Sequence, residues 1–107
     1  MLISASAILA FGTVTTVSAI VQAGATPRFV DIHPETALMD VSQVERAITP
    51  RTKCVIPVHL YGQCADMAAL VPICRLHGIA VIEDCSQSHG ARHRGRMCGS
   101  LGDMGIF

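Results

Sequence analysis

With 107 residues, half of them hydrophobic and 15% charged, the chain is long enough for one small domain with an apolar core. Eight Lys and Arg balance eight Asp and Glu, which excludes the basic stripe that a nucleic-acid surface needs. Aromatic residues make up only 4% of the chain, which argues further against a base-stacking surface.

The first segment, Met1 to Phe11, has an apolar centre and small residues, but no positive residue precedes the apolar part. It therefore reads as a buried piece of a larger domain rather than a secretory signal. Ser, Thr, Gly and Gln interrupt every apolar run before it reaches membrane-spanning length. Val14 to Ala23 has the spacing of a buried helix that Gly24 ends. Arg28 to Ile32 reads as a short strand, closed by Pro34. Asp40 is placed to cap a helix whose Val41, Val44, Ala47 and Ile48 share one face, and Pro50 stops it. Cys54 to Leu60 is a near-continuous β-branched and apolar run, the pattern of a parallel strand buried on both faces. Asp66 caps a further helix through Met67, Leu70, Ile73, Cys74 and His77, closed by Gly78, and Pro72 predicts a kink or a position near the first turns. Ile79 to Ile82 is the next strand. Strand, helix and strand joined by short connections make a right-handed βαβ unit, so the fold class is α/β with a mostly parallel sheet and flanking helices.

That last strand ends in the most informative stretch of the chain, Glu83-Asp84-Cys85-Ser86-Gln87-Ser88-His89-Gly90. Ligands of open α/β sheets bind beyond the carboxyl ends of the strands, so these side chains border a candidate site. Asp84 and Gln87 would offer one planar ligand a charged acceptor and a neutral amide from the same side. Asp84 as a helix cap and Gln87 as a solvated residue is the plainer alternative. Glu83 must point away from Asp84, because neighbours on a strand face opposite sides, and it reads as structural. His59 ends the other apolar strand and reads as a structural histidine, with bordering the site or orienting the adjoining loop as the alternative; His89 likewise reads as structural, with a place at the site border as the alternative. The five cysteines form no C-x-x-C pair and are odd in number, which is neither a disulfide framework nor a zinc pattern and suits a reducing cytoplasm. His33, His77 and His93 have no metal-ligand spacing. Arg92, Arg94 and Arg96, with His93 among them, read as a solvated hairpin or loop, with a phosphate contact as the alternative.

Four segments carry a resemblance: Gly24-Ala25-Thr26-Pro27 with Phe29-Val30-Asp31-Ile32, then Pro57-Val58-His59-Leu60-Tyr61-Gly62-Gln63, the Asp84 stretch, and Gly99-Ser100-Leu101-Gly102-Asp103-Met104-Gly105-Ile106-Phe107. In this order and spacing they resemble the DegT/DnrJ/EryC1/StrS family of aminotransferases that depend on pyridoxal phosphate (PLP). The resemblance runs from about Phe11 to Phe107, with Met1 to Gly12 poorly matched. It implies that residues 1–107 are part of the PLP-binding large domain of a fold-type-I aminotransferase, incomplete at both ends. The implied substrates are a nucleotide-linked keto-sugar and an amino-acid donor, in a cytoplasmic homodimer without nucleic-acid or membrane partners. By the same resemblance Asp84 faces the pyridine nitrogen and Gln87 the ring hydroxyl. No catalytic residue is expected within the chain. Lys53, its single lysine, lies far from the motif, and the family's Schiff-base lysine and phosphate-binding serine would follow Phe107. The rest of the phosphate cradle would precede Met1. Thr13 stands where relatives carry a ring-stacking aromatic, and threonine has no such face. The leading alternative is a protein that keeps the fold and binds PLP or a partner without turnover. An unrelated nucleotide-binding module would need a G-x-G-x-x-G or P-loop sequence, and neither occurs.

Overall fold

The computed structural model describes residues 5–10 and 14–107; Phe11 and Thr13 lie outside them. Among the described residues seven strands and three α-helices follow in the order β1 (Ser6–Leu9), α1 (Val14–Gln22), β2 (Thr26–Phe29), α2 (Val44–Ala47), β3 (Thr52–Ile56), α3 (Met67–Leu76), β4 (Ala80–Asp84), β5 (Arg92–His93), β6 (Arg96–Met97) and β7 (Met104–Ile106). Five of the strands form one parallel sheet in the order β2-β1-β3-β4-β7. The chain leaves β1 towards β2, then returns past β1 to β3 and β4. With right-handed crossovers, that reversal puts α1 on one face and α2 and α3 on the other.

Side-chain alternation divides the core to match. Ile8, Val55 and Val81 pack with Val44, Met67, Leu70 and Cys74 on the α3 face. Ala7, Leu9 and Ile56 pack with Ile20 of α1 on the opposite face. Leu70 and Val55 are wholly buried; emptying such a site, as in Leu→Ala, typically costs about 2–5 kcal/mol.

Several boundaries differ from those the sequence predicts, each for a long-range reason. The apolar segment at the N-terminus supplies β1, which is paired on both sides. Pairing with β1 starts β2 at Thr26, two residues before the predicted strand, and Pro27 is tolerated because β2 is an edge. The helix predicted after Asp40 is split. Asp40 accepts from the Ser42 amide (3.1 Å) and from the Gln43 side chain (2.8 Å), which holds Val41–Gln43 in a 3-10 turn before the single turn of α2. Pro57 ends the regular β3 ladder, leaving Val58 to bridge to Asp84. Asp66 caps α3 as predicted, accepting from the Ala69 amide (3.2 Å), and α3 continues through Pro72 to Leu76. Pairing with β7 carries β4 on to Asp84, beyond the predicted end at Ile82. The arginine cluster is the two-residue hairpin β5–β6.

Candidate functional site

The carboxyl-terminal edge of the sheet gathers the chemistry. Asp84 is the last residue of β4 and is half-buried. Its Oδ1 accepts from the Ser86 amide (3.1 Å) and hydroxyl (2.6 Å), and its Oδ2 accepts from Thr16 Oγ1 at 3.2 Å. The Ser86 contacts are a local Asx-type turn at the strand exit. The Thr16 contact crosses from α1 and was not anticipated. Its only sequence signal is the threonine pair Thr15-Thr16 in the first turn of the helix. These bonds fill Oδ1 and hold the carboxylate on the α1 face, where Oδ2 can still accept from a ligand.

Glu83 points the other way and is fully buried. Its Oε1 accepts from His59 Nε2 (3.0 Å) and the Gly99 amide (2.8 Å), and its Oε2 from the amides of Leu101 (2.8 Å) and Gly102 (2.7 Å). Burial raises the carboxyl pKa, but the hydrogen bonds from Gly102, Gly99, His59 and Leu101 outweigh it and hold the group below its ordinary value. Glu83 therefore organises the 99–102 loop as an anion ringed by donors. A close approach completes this corner: a Cβ on Gly105 would collide with the Gly99 carbonyl oxygen, so β7 can pass only as glycine.

The His59 side chain is buried with Glu83, while its backbone amide donates to the Asp84 carbonyl at 2.9 Å. Its Nδ1 accepts from the Ala65 amide at 3.0 Å, so the ring proton sits on Nε2 and is donated to Glu83. These contacts orient the loop that follows Leu60. Gln87 is exposed beyond Asp84, with its carbonyl accepting from the Gly62 amide at 3.4 Å. His89 is exposed as well, its ring 5.7 Å from that of Phe107. Cys85, the next residue after Asp84, is buried; burial first, then the charges of Glu83 and Asp84, push its thiol up to about 11.

Lys53 is exposed near the amino-terminal end of β3. Val58, on the same strand direction, is the residue that bridges to Asp84. Five residues of extended chain separate Lys53 from that level, roughly 16 Å at strand rise. The lysine and the carboxylate thus occupy opposite ends of the sheet. The cysteines also depart from what their spacing suggests, since Cys64 and Cys98 are joined as a disulfide. No helix among the described residues is long and apolar enough to cross a membrane.

A parallel sheet with crossover helices on both faces defines an α/β domain, with the Asp84 carboxylate presented at its carboxyl-terminal edge. The sequence profile of the DegT/DnrJ/EryC1/StrS aminotransferase family matches residues 7–107, and the chain belongs to that family. It is 52% identical over 92 residues to the dTDP-3-amino-3,4,6-trideoxy-alpha-D-glucose transaminase of Micromonospora megalomicea subsp. nigra, covering 86% of this chain and 25% of the relative. The aminotransferase from Psychrobacter cryohalolentis superposes with a TM-score of 0.92 at 34% identity, covering 95% of this chain and 26% of that one. NtdA from Bacillus subtilis, solved with the cofactor PMP bound, superposes with a TM-score of 0.80 at 35% identity, covering 90% and 22%. The chain spans about a quarter of the length of the curated relatives it matches.

Proposed function

We propose that this chain forms the pyridine-binding part of a PLP-dependent aminotransferase that aminates a nucleotide-linked keto-sugar. The observation that carries the reading is Asp84, an ionisable acceptor fixed by Thr16 and Ser86 at the carboxyl end of a parallel strand. The donor set fits the pyridine side of the cofactor, because a carboxylate with remaining acceptor capacity suits a protonated ring nitrogen. When bound, PLP supplies an electron sink for cleavage of a bond to the amino-bearing carbon.

The chain's own residues position and hold charge. Asp84 keeps the ring nitrogen protonated, and Thr16 and Ser86 hold the carboxylate in place. Gln87, exposed on the loop beyond Asp84, offers its amide to the ring hydroxyl. Glu83 and His59 work from the opposite face, fixing the loops that flank Asp84. The position of Lys53 supports a covalent-binding lysine supplied by sequence outside these residues. The substrate reading is supported by relatives whose names specify dTDP- and UDP-linked sugars. An amino-acid donor, a homodimeric assembly, a cytoplasmic location and the absence of nucleic-acid and membrane partners belong to the same proposal.

Asp84→Asn tests it, in a chain extended to the relatives' length. The variant keeps the shape and loses the charge. Transamination is expected to fall by about 10²–10³, the size of losing one preorganised electrostatic contact, with the urea midpoint nearly unchanged. Turnover equal to that of the parent would remove Asp84 from the mechanism.

A further inference from the structure

Cys64 and Cys98 are bonded across a sequence separation of 34, with their Cα atoms 6.3 Å apart. Their surroundings differ. Cys64 is half-buried and lines a cavity of about 520 Å³ with His33, Asp66 and His93, whereas Cys98 is 2% exposed. The remaining cysteines are held out of thiol chemistry. Burial, with a contribution from Asp103, pushes the Cys74 thiol up to about 11; Cys85 reaches the same value, and burial also raises Cys54.

The sulfurs of Cys64 and Cys98 lie within 4.8 Å of His59 Nε2, and this trio could be read as a metal site. The hydrogen bonds argue otherwise. His59 uses Nδ1 to accept from Ala65 and donates its Nε2 proton to Glu83, and both Glu83 oxygens are filled by donors. Among the described residues, the metal-capable atom grouped within 4.8 Å of both sulfurs is this His59 nitrogen, already committed to Glu83, which leaves the pair short of the four ligands of a structural zinc site.

We infer that Cys64 and Cys98 are a reversible thiol–disulfide pair, with Cys64 the entry thiol and Cys98 the resolving thiol, and that a small organic disulfide is the oxidant. In the first step the Cys64 thiolate attacks one sulfur of the disulfide RSSR, forming a mixed Cys64–S–S–R bond and expelling RS⁻. In the second the Cys98 thiolate attacks the Cys64 sulfur, forming the internal bond and expelling a second RS⁻. The two protons released by the cysteines end on the two RS⁻ groups. The protein sulfurs lose two electrons in total and RSSR gains them.

The bond staples two loops that flank the Asp84–Gln87 exit. The loop at Cys64 supports Gln87 and Ser88, through the Gly62 amide to the Gln87 carbonyl (3.4 Å) and the Ser88 hydroxyl to the Gln63 carbonyl (3.5 Å). The loop at Cys98 supplies the three amides that ring Glu83. Oxidation therefore stiffens both supports, whatever reaction the site performs.

The test equilibrates the native protein over a series of oxidised-to-reduced glutathione ratios, alkylates free thiols, and maps the linkages by mass spectrometry. Cys64–Cys98 is expected as the dominant linkage at oxidising ratios and free at reducing ones, with the buried Cys74 and Cys85 alkylated only after denaturation. Cys98→Ser should accumulate glutathione on Cys64, and the Gly62 amide should exchange about tenfold more slowly in the oxidised form. The parent-chain map needs no variant to fold. Alkylation of both Cys64 and Cys98 at every ratio, or linkage of either to other cysteines as often as to each other, would overturn the pair. Unchanged Gly62 exchange would overturn the staple.

Discussion

Replacing Glu83 with glutamine should destabilise the fold far more than the loss of one surface charge would. Four donors converge on the carboxylate at 2.7–3.0 Å, three of them backbone amides. Glutamine keeps one acceptor oxygen. If that oxygen faces His59 and Gly99, its NH2 group is turned onto the amides of Leu101 and Gly102, and two part-buried donors lose their partner. An unsatisfied buried donor costs about 1–3 kcal/mol, so the pair should cost about 3 kcal/mol. That is a large share of the 5–15 kcal/mol typical of a domain. At a urea slope of about 2 kcal/mol/M, the unfolding midpoint should drop by roughly 1.5 M. The measurement is urea denaturation at pH 7 of parent and variant, both extended to the relatives' length.

The same carboxylate predicts a pH dependence. Its folded pKa lies below the ordinary 4.5, so the unfolded chain binds the proton more readily. The stability it contributes is fully present above that ordinary value and is lost as pH falls through the folded one. The parent should therefore lose stability on acidification below about pH 4.5, and Glu83→Gln should lose less over the same range. A midpoint shift under about 0.3 M at pH 7, within extrapolation error, would refute the argument.

The other predictions concern the site and the isolated chain. Thr16→Val should cost about 1 kcal/mol through the Asp84 contact and lower turnover several-fold without abolishing it; turnover kinetics on the extended chain would check both size and sign. Treating the 107-residue chain with PLP and then borohydride should give no stoichiometric adduct at Lys53, as peptide mapping would reveal, because that lysine sits at the far end of the sheet from Asp84. The isolated chain should aggregate or run as a broad peak in size-exclusion chromatography, since Val14, Phe29, Leu76 and Phe107 are each at least 60% exposed and, among the described residues, the edge strands β2 and β7 have no second partner. A monodisperse monomer that melts sharply above about 55 °C would show a self-sufficient domain.

Much of the architecture was legible in the residue order because it depends on local chemistry. The caps at Asp40 and Asp66, the stops at Gly24 and Gly78, and the apolar run around Val55 each act through near neighbours. The period of two along β4 likewise required Glu83 and Asp84 to face opposite sides. Periodicity could not say which contacts each face would meet. That depends on α1 bringing Thr16 to Asp84 and on the 99–102 loop closing over Glu83, contacts separated by up to 68 residues. The same reason explains the early start of β2, the extension of β4, the place of Ser6–Leu9 inside the sheet and the joining of Cys64 to Cys98. Backbone pairing and thiol proximity are satisfied by whichever partner the packed chain brings near, and no local pattern records that partner.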